Sequence, residues 1–195
     1  MKTRFPLLSL SFLLLFACCS SQNPTILIET DLGQITAEIY LKKAPITAGN
    51  FLHHIDIGTF REHETVFYRV VRLDNQPNSA IKIEVIQGGL YDDEVVDAIP
   101  PIEHETTKTT GIKHTDGVLS MARNAPGTAS TEFFICIGDQ PALDWGGSRN
   151  SDGAGFAAFG KVIKGMDVVK RIQQQPDSGQ YMVQPPRIRS IKRVH

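Results

Sequence analysis

The feature that most constrains this sequence is a series of short apolar segments, rich in β-branched and aromatic residues and separated by turn-forming residues. Such segments are typical of β-strands. A β-hairpin is predicted at 25–41, with its turn at Asp31–Gln34, and the other predicted strands are 66–72, 81–87, 117–123, 132–138, 156–163 and 186–194. Helices are predicted only at 44–58 and 165–173. Many short strands with one early and one late helix favour a mainly β fold, a closed or nearly closed antiparallel barrel capped by helices.

The N-terminal segment has a different character. Lys2 and Arg4 precede an apolar stretch over 7–17, which is the pattern of a secretory signal peptide. The stretch is too short to span a bilayer, which needs roughly 20 apolar residues. It ends in LFAC, which resembles a bacterial lipobox with Cys18 as the lipidated residue.

We therefore predict a lipoprotein-type signal peptide at 1–17, a short tether at 18–24 and a single domain at 25–195. The protein is then expected to be exported and to face the periplasm, anchored through lipid on Cys18 in the inner or the outer membrane. The alternative is ordinary secretion, in which Cys18 and Cys19 have no role.

Composition excludes several other classes. The net charge is −1 and no run of five like charges occurs, so the basic patch of a nucleic-acid-binding protein is missing. Cys136 is the single cysteine of the predicted domain, which leaves no disulfide within it, and it is expected to be a small buried hydrophobe. The histidines lack metal-ligand spacing. We expect no nucleic-acid partner, no metal and no cofactor, and a monomer, since the sequence carries no oligomerisation signal.

One strand carries an unexpected charge. In VFYRVVR, strict alternation places Arg69 in a row with the apolar residues Phe67 and Val71. Burying an unpaired charge is costly. Either Arg69 lies on an edge strand with its head in water, or its charge has a function.

Eight motifs answer this question by their order. The sequence contains APITAGNF, VFYRV, IQGG, GVLSMAR, TEFFICIG, ALD, FAAFGKV and GMDVVKRI. In this order they resemble the cyclophilins, and the resemblance covers roughly residues 25–194. It implies an eight-stranded antiparallel β-barrel closed by two α-helices and peptidyl-prolyl cis-trans isomerase activity.

The resemblance also implies which residues act. Arg69 matches the catalytic arginine of the family, and Gln87 matches the glutamine that orients it. An X–Pro amide resists rotation because resonance gives its C–N bond partial double-bond character. Twisting the bond returns a lone pair to the proline nitrogen, and a guanidinium donor aimed there stabilises the twisted state more than either planar state.

Six further positions match the substrate groove of the family. The proline pocket is expected to contain Phe134, Leu143 and Phe156, and the groove positions are Ala122, Glu132 and Val85. Glu132 stands where a glutamine is common.

Three departures from the family pattern weaken the expected site. Glu84 replaces an aromatic residue, Val85 a methionine, and Ala142 a larger ring. A carboxylate at Glu84 is also expected to pair with Arg69 and compete with substrate. We therefore predict weaker activity than in a member with the full motif.

Two functions follow from these residues. The first is an isomerase that acts on X–Pro bonds in unfolded exported proteins and binds proline-containing peptides. The alternative is a catalytically weak or inactive chaperone or scaffold that binds proline-containing peptides but does not turn them over.

Overall fold

The computed structural model describes residues 23–194. The predicted signal peptide at 1–17 and the predicted lipidation site at Cys18 lie outside the described residues. Within 23–194, no helix has the length and apolar character needed to cross a membrane.

Residues 23–194 form ten strands that all pair antiparallel. They are β1 (Thr25–Thr30), β2 (Gly33–Ile39), β3 (Thr65–Val71), β4 (Val85–Leu90), β5 (Val118–Met121), β6 (Phe133–Cys136), β7 (Ala157–Lys164), β8 (Asp177–Ser178), β9 (Tyr181–Met182) and β10 (Ile188–Val194). The α-helices are α1 (Pro45–Asp56), α2 (Thr59–Glu62), α3 (Asp93–Ala98), α4 (Thr107–Thr110) and α5 (Met166–Gln173), and Pro141–Leu143 form one 3-10 turn.

Eight of these strands make the barrel. Their order is β10-β1-β2-β7-β5-β6-β4-β3. A bridge between Val66 and Arg187, together with a hydrogen bond from the Phe67 amide to the Pro186 carbonyl (3.0 Å), brings β3 back to the chain entering β10. The expected eight-stranded antiparallel fold is confirmed, and the two-residue strands β8 and β9 extend it beside β3.

The barrel interior is filled by side chains. Phe51 of α1 packs against three other phenylalanine rings, those of Phe60, Phe133 and Phe159. The helix α5 buries Val168, Val169 and Ile172 against the sheet. Because the interior is occupied, a ligand has to bind on the outer surface of the barrel.

The helix prediction found α1 and α5 but missed three short helices. The helices α2, α3 and α4 contain four, six and four residues. Helices of this length show too little periodicity to be recognised in a sequence. Their side-chain caps, Asp92 on α3 and Thr106 on α4, are the local signals that were available.

The strand predicted at 81–87 is wrong at both ends, since β4 runs from Val85 to Leu90. The reason is the buried side chain of Gln76. Its Nε2 donates to the carbonyl of Ile83 (2.8 Å), and its Oε1 accepts from the amide of Ile83 (3.3 Å). Ile83 therefore satisfies its backbone groups through a side chain rather than through strand pairing.

Candidate active site

One row of residues crosses the outer face of the barrel. Arg69 on β3 pairs with Gln87 on β4, which pairs with Phe134 on β6, which pairs with Ser120 on β5. Directly opposed residues of an antiparallel sheet point to the same face, about 5 Å apart. The sheet register thus brings the predicted catalytic arginine, its glutamine and the pocket phenylalanine into line.

A bulge changes the side-chain alternation of β3. Phe67 pairs with Gly88 and Arg69 pairs with Gln87, so Tyr68 is the extra residue. The side chain of Gln87 contacts both members of the bulge: its Oε1 accepts from Arg69 Nη1 (3.0 Å), and its Nε2 donates to the Tyr68 hydroxyl (2.7 Å). The strict alternation predicted for β3 is therefore wrong here, because a bulge places two consecutive side chains near one partner.

Arg69 is held by two amide side chains. Besides Gln87, the Oε1 of Gln180 accepts from Arg69 Nε (3.1 Å) and Nη2 (2.7 Å). Gln180 lies in the turn between β8 and β9 with a φ of 78°, and its backbone N–H donates to Asp177 Oδ2 (2.9 Å). Both acceptors are neutral, so the guanidinium is fixed in place while its charge is retained.

The predicted pairing of Glu84 with Arg69 is not formed. The Glu84 carboxylate instead accepts from Gln173 Nε2 on α5 (3.3 Å). Its neighbours Ile83 and Val85 line the cavity beside Arg69. The sequence analysis predicted that Glu84 replaces an aromatic residue of the pocket, whereas in the structure Ile83 supplies an apolar side chain beside Arg69.

The apolar part of the site is built around Phe134. Its ring meets Phe156 edge to face at 5.3 Å and an angle of 89°. Leu143, in the 3-10 turn, is buried in the same core cluster. Together these three side chains form an apolar surface of the size and character that suits a proline ring.

A buried polar network supports Phe134 from behind. His114 stacks on its ring with an interplanar angle of 17° and contacts Asp144 through Nδ1 (2.9 Å) and Ser120 through Nε2 (3.0 Å). The order serine–histidine–aspartate is that of a hydrolase triad. Ser120 is 0% exposed and His114 1% exposed, so neither reaches a substrate, and the network positions the pocket floor.

Glu132 faces the protein. Its Oε2 accepts from the Tyr68 hydroxyl (2.5 Å), and its Oε1 accepts from the Leu90 amide (2.8 Å). The pKa of Glu132 is raised to about 7: burial is the main cause, the charge of Asp93 on α3 adds to it, and the two hydrogen bonds oppose it. The carboxyl that was predicted to bind substrate is thus already engaged by two donors.

All eight residues predicted for catalysis or substrate binding line one cavity of about 1000 Å³: Arg69, Gln87, Phe134, Leu143, Phe156, Ala122, Glu132 and Val85. Their individual roles in catalysis and substrate binding stay predictions. The sequence reasoning missed four other residues of this region: Tyr68, Gln180, Tyr181 and Arg149. The position of Tyr68 beside Arg69 was the only local signal for any of them.

Two further arginines, Arg123 and Arg149, line the cavity. Arg123 forms a two-pronged ion pair with Asp152 (2.8 and 2.9 Å) and lies over the Phe156 ring (5.0 Å). Arg149, from the Gly-rich loop at 146–155, bonds the buried Gln76 side chain (3.1 Å). The long loops 72–83 and 146–155 therefore meet at the edge of the cavity.

The thiol of the domain is not available for chemistry. Cys136 lies in β6 and is fully buried. Burial is the main cause of the raised pKa of its thiol, and the charges of Asp144, Asp116 and Asp139 also raise it. Among residues 23–194, no group of three histidine, cysteine or acidic side chains is placed to hold a metal ion.

Comparison with known proteins agrees with this geometry. Residues 25–193 match the family described as cyclophilin type peptidyl-prolyl cis-trans isomerase/CLD. A peptidyl-prolyl cis-trans isomerase of Acinetobacter baylyi is 37% identical over 168 residues, which cover 85% of this chain and 80% of the relative. Peptidyl-prolyl cis-trans isomerase B of Escherichia coli is 34% identical over 147 residues, covering 74% of this chain and 80% of that protein.

A solved structure shows the same fold. The crystal structure of a Cryptosporidium parvum cyclophilin type isomerase superposes with a TM-score of 0.68 at 21% identity, covering 89% of this chain and 98% of that one. The same protein solved in the presence of the dipeptide Ala-Pro gives a TM-score of 0.65 at 22% identity, covering 86% and 97%. From the family match across the domain and the bacterial relatives, this chain belongs to the cyclophilin-type peptidyl-prolyl cis-trans isomerases.

Proposed function

We propose that this isomerase acts on X–Pro bonds of exported proteins while a lipid on Cys18 holds it at a membrane facing the periplasm. The observation that carries the catalytic part is the Arg69 guanidinium, held by Gln87 and Gln180 beside the apolar surface at Phe134. The signal-like segment at 1–17 motivates the location.

The hydrogen-bond count of Arg69 supports the proposed catalytic role. A guanidinium has five N–H groups, and three of them are used by Gln87 and Gln180. One N–H on each terminal nitrogen remains outside these contacts. When a proline ring occupies the pocket, these donors can address the lone pair that appears on its nitrogen as the amide twists, which lowers a barrier of about 20 kcal/mol.

The proposed ligand is an extended segment that contains proline. The Cryptosporidium parvum relative was solved in the presence of Ala-Pro. In this chain the cavity is open to solvent along β3, β4 and β6 and has room for residues on both sides of the proline. We propose that unfolded exported proteins supply such segments before they fold.

The activity is tested by NMR exchange spectroscopy on a blocked Ala-Pro-Phe peptide with the chain from residue 18. Uncatalysed exchange takes tens of seconds or longer, so cross-peaks between the cis and trans signals report catalysis. We expect them for the wild type, for the matched surface control Arg61→Ala, and not for Arg69→Ala. Peptide binding without cross-peaks from the wild type would instead support the non-catalytic chaperone.

The location is tested separately by fractionation of cells and by labelling with a fatty-acid analogue. Cys18→Ala is expected to abolish labelling and to release the protein from membranes. The adjacent substitution Cys19→Ala is the matched control and is expected to leave both unchanged. Membrane retention of the Cys18→Ala variant would contradict lipid anchoring at this residue.

A further inference from the structure

The hydrogen bonds that hold Gln87 continue beyond it to a buried carboxyl group. Arg69 Nη1 donates to Gln87 Oε1, Gln87 Nε2 donates to the Tyr68 hydroxyl, and that hydroxyl contacts Glu132 Oε2. The successive distances are 3.0, 2.7 and 2.5 Å. We call these four residues the Arg69–Glu132 relay.

The protonation state of Glu132 fixes the direction of every hydrogen bond in the relay. A tyrosine hydroxyl has one hydrogen to donate. While Glu132 is a carboxylate, it can only accept, so Tyr68 donates to it and presents a lone pair to Gln87. The amide of Gln87 must then turn its nitrogen to Tyr68 and its oxygen to Arg69.

A side chain at position 132 that donates a hydrogen bond reverses the direction of these hydrogen bonds. A protonated or amide side chain at Glu132 can donate to Tyr68, whose hydrogen then points at Gln87. Gln87 is then favoured with its oxygen toward Tyr68 and its nitrogen toward Arg69. Two donors would face each other, and Arg69 would lose the contact that holds its Nη1.

The backbone around Glu132 is shaped to keep the carboxyl in this place. The Leu90 amide donates to its Oε1 (2.8 Å). Gly89 has a φ of 151°, and a Cβ there would lie 2.1 Å from Glu132 Oε1. A side chain at Gly89 would therefore occupy the position of the carboxyl, so the glycine leaves room for it.

We propose that Glu132 is a positioning residue for the isomerase reaction: its ionised carboxylate sets the polarity of the relay and so orients Gln87 to hold Arg69. The proposal deepens the assigned isomerase activity and rests on it. Glu132 itself is not required to touch the peptide. Activity is therefore expected to depend on the charge of Glu132, although Glu132 reaches Gln87 only through Tyr68.

The surrounding charges define the pH range in which this acts. The pKa of Glu132 is raised to about 7, because burial and the Asp93 carboxylate on α3 outweigh the hydrogen bonds from Tyr68 and Leu90, which lower it. Tyr68 has a raised pKa, through burial and the charge of Glu132, and so stays protonated. Arg123, beside the same cavity, is turned away from Glu132 and paired with Asp152. The relay has its working polarity above about pH 7 and loses it below.

The test is the isomerisation rate constant from NMR exchange, with a blocked Ala-Pro-Phe peptide that has no titrating group, between pH 5.5 and 8.5. The wild type is expected to gain activity as the pH rises through about 7. Glu132→Gln is expected to be on the order of tenfold slower at pH 8, since small displacements of a catalytic group are costly, and to show no such rise. Asp93→Asn is expected to move the midpoint to lower pH.

A double-mutant cycle identifies the route of the effect. If Glu132 acts through Tyr68, Tyr68→Phe alone is slow and adding Glu132→Gln slows it no further. The exposed substitution Glu62→Gln on α2 is the matched control and should keep the wild-type profile. Fully additive losses, or an active Glu132→Gln with the wild-type pH profile, would overturn the proposal. A wild type inactive at every pH would instead count against the isomerase activity itself.

Discussion

At the scale of single residues, the arginine in the middle of an apolar strand is explained by its partners. Arg69 is bonded by two neutral amide oxygens, those of Gln87 and Gln180, rather than by a carboxylate. A carboxylate would hold the guanidinium as firmly but would neutralise the charge that, in the proposed mechanism, stabilises the twisted amide. The residues that fix Arg69 therefore leave its charge available for the proposed stabilisation of the twisted amide.

This distinction is testable at Gln180. Gln180→Glu keeps the size and the acceptor but adds a negative charge beside Arg69. We expect it to lower kcat/KM by on the order of tenfold, because the ion pair competes with the proline nitrogen. Gln180→Ala, which removes the contact without adding charge, is expected to have a smaller effect. A Gln180→Glu variant as active as the wild type in the exchange measurement would contradict this account of Arg69.

At the scale of elements, the register between strands places the site and the loops frame it. The row Arg69–Gln87–Phe134 follows from β3, β4 and β6 lying side by side in fixed register. The segment 72–83 is organised by Gln76, which is 2% exposed and bonds the backbone of Ile83 and the side chain of Arg149. A single buried amide therefore fixes the start of β4 and the position of the loop that borders the cavity.

We expect Gln76→Ala to lower the free energy of unfolding by about 1–3 kcal/mol, since it leaves buried backbone groups of Ile83 without partners. Amide hydrogen exchange should show the loss concentrated in 72–83 and at the start of β4. Asn78→Ala, in the same loop but exposed, is the control and should change stability by less than about 0.5 kcal/mol. Equal effects of the two substitutions would contradict the organising role of Gln76.

At the scale of the whole molecule, a filled barrel carries the candidate site on its outer face. The interior is occupied by aromatic rings that include Phe51, Phe133 and Phe159, while the site lies on the opposite face of the same strands. The site lowers the stability of the folded protein at neutral pH, since Glu132 is a buried carboxyl with a pKa raised to about 7. Between about pH 4.5 and 7 the folded state keeps a proton that the unfolded state releases, so stability falls as the pH rises through that window.

Glu132→Gln removes this pH-dependent contribution. Each pKa unit corresponds to about 1.4 kcal/mol, so the unfolding free energy of the variant relative to the wild type should increase by about 3 kcal/mol between pH 4.5 and pH 8. Denaturant unfolding of both proteins at the two pH values measures it. The variant would then gain relative stability in the same range in which it is expected to lose activity. A difference between the proteins that does not change with pH would contradict the raised pKa.

The sequence alone determined the eight barrel strands, the helices α1 and α5, and the residues Arg69, Gln87 and Phe134 that meet in one row. It did so because side-chain periodicity and short motifs are local properties of the chain. Strand ends were less well determined. The start of β4 was predicted too early because the side chain of Gln76 bonds the backbone of Ile83 and so keeps Ile83 out of the strand.

Only the tertiary structure decided how Arg69 is held. The bulge at Tyr68 depends on the pairing of β3 with β4, and Gln180 reaches Arg69 from 111 residues away in sequence. The same holds for Glu84, which the structure turns toward Gln173 on α5. Contacts between distant segments leave no local pattern, because they exist only once the barrel has closed and brought those segments together.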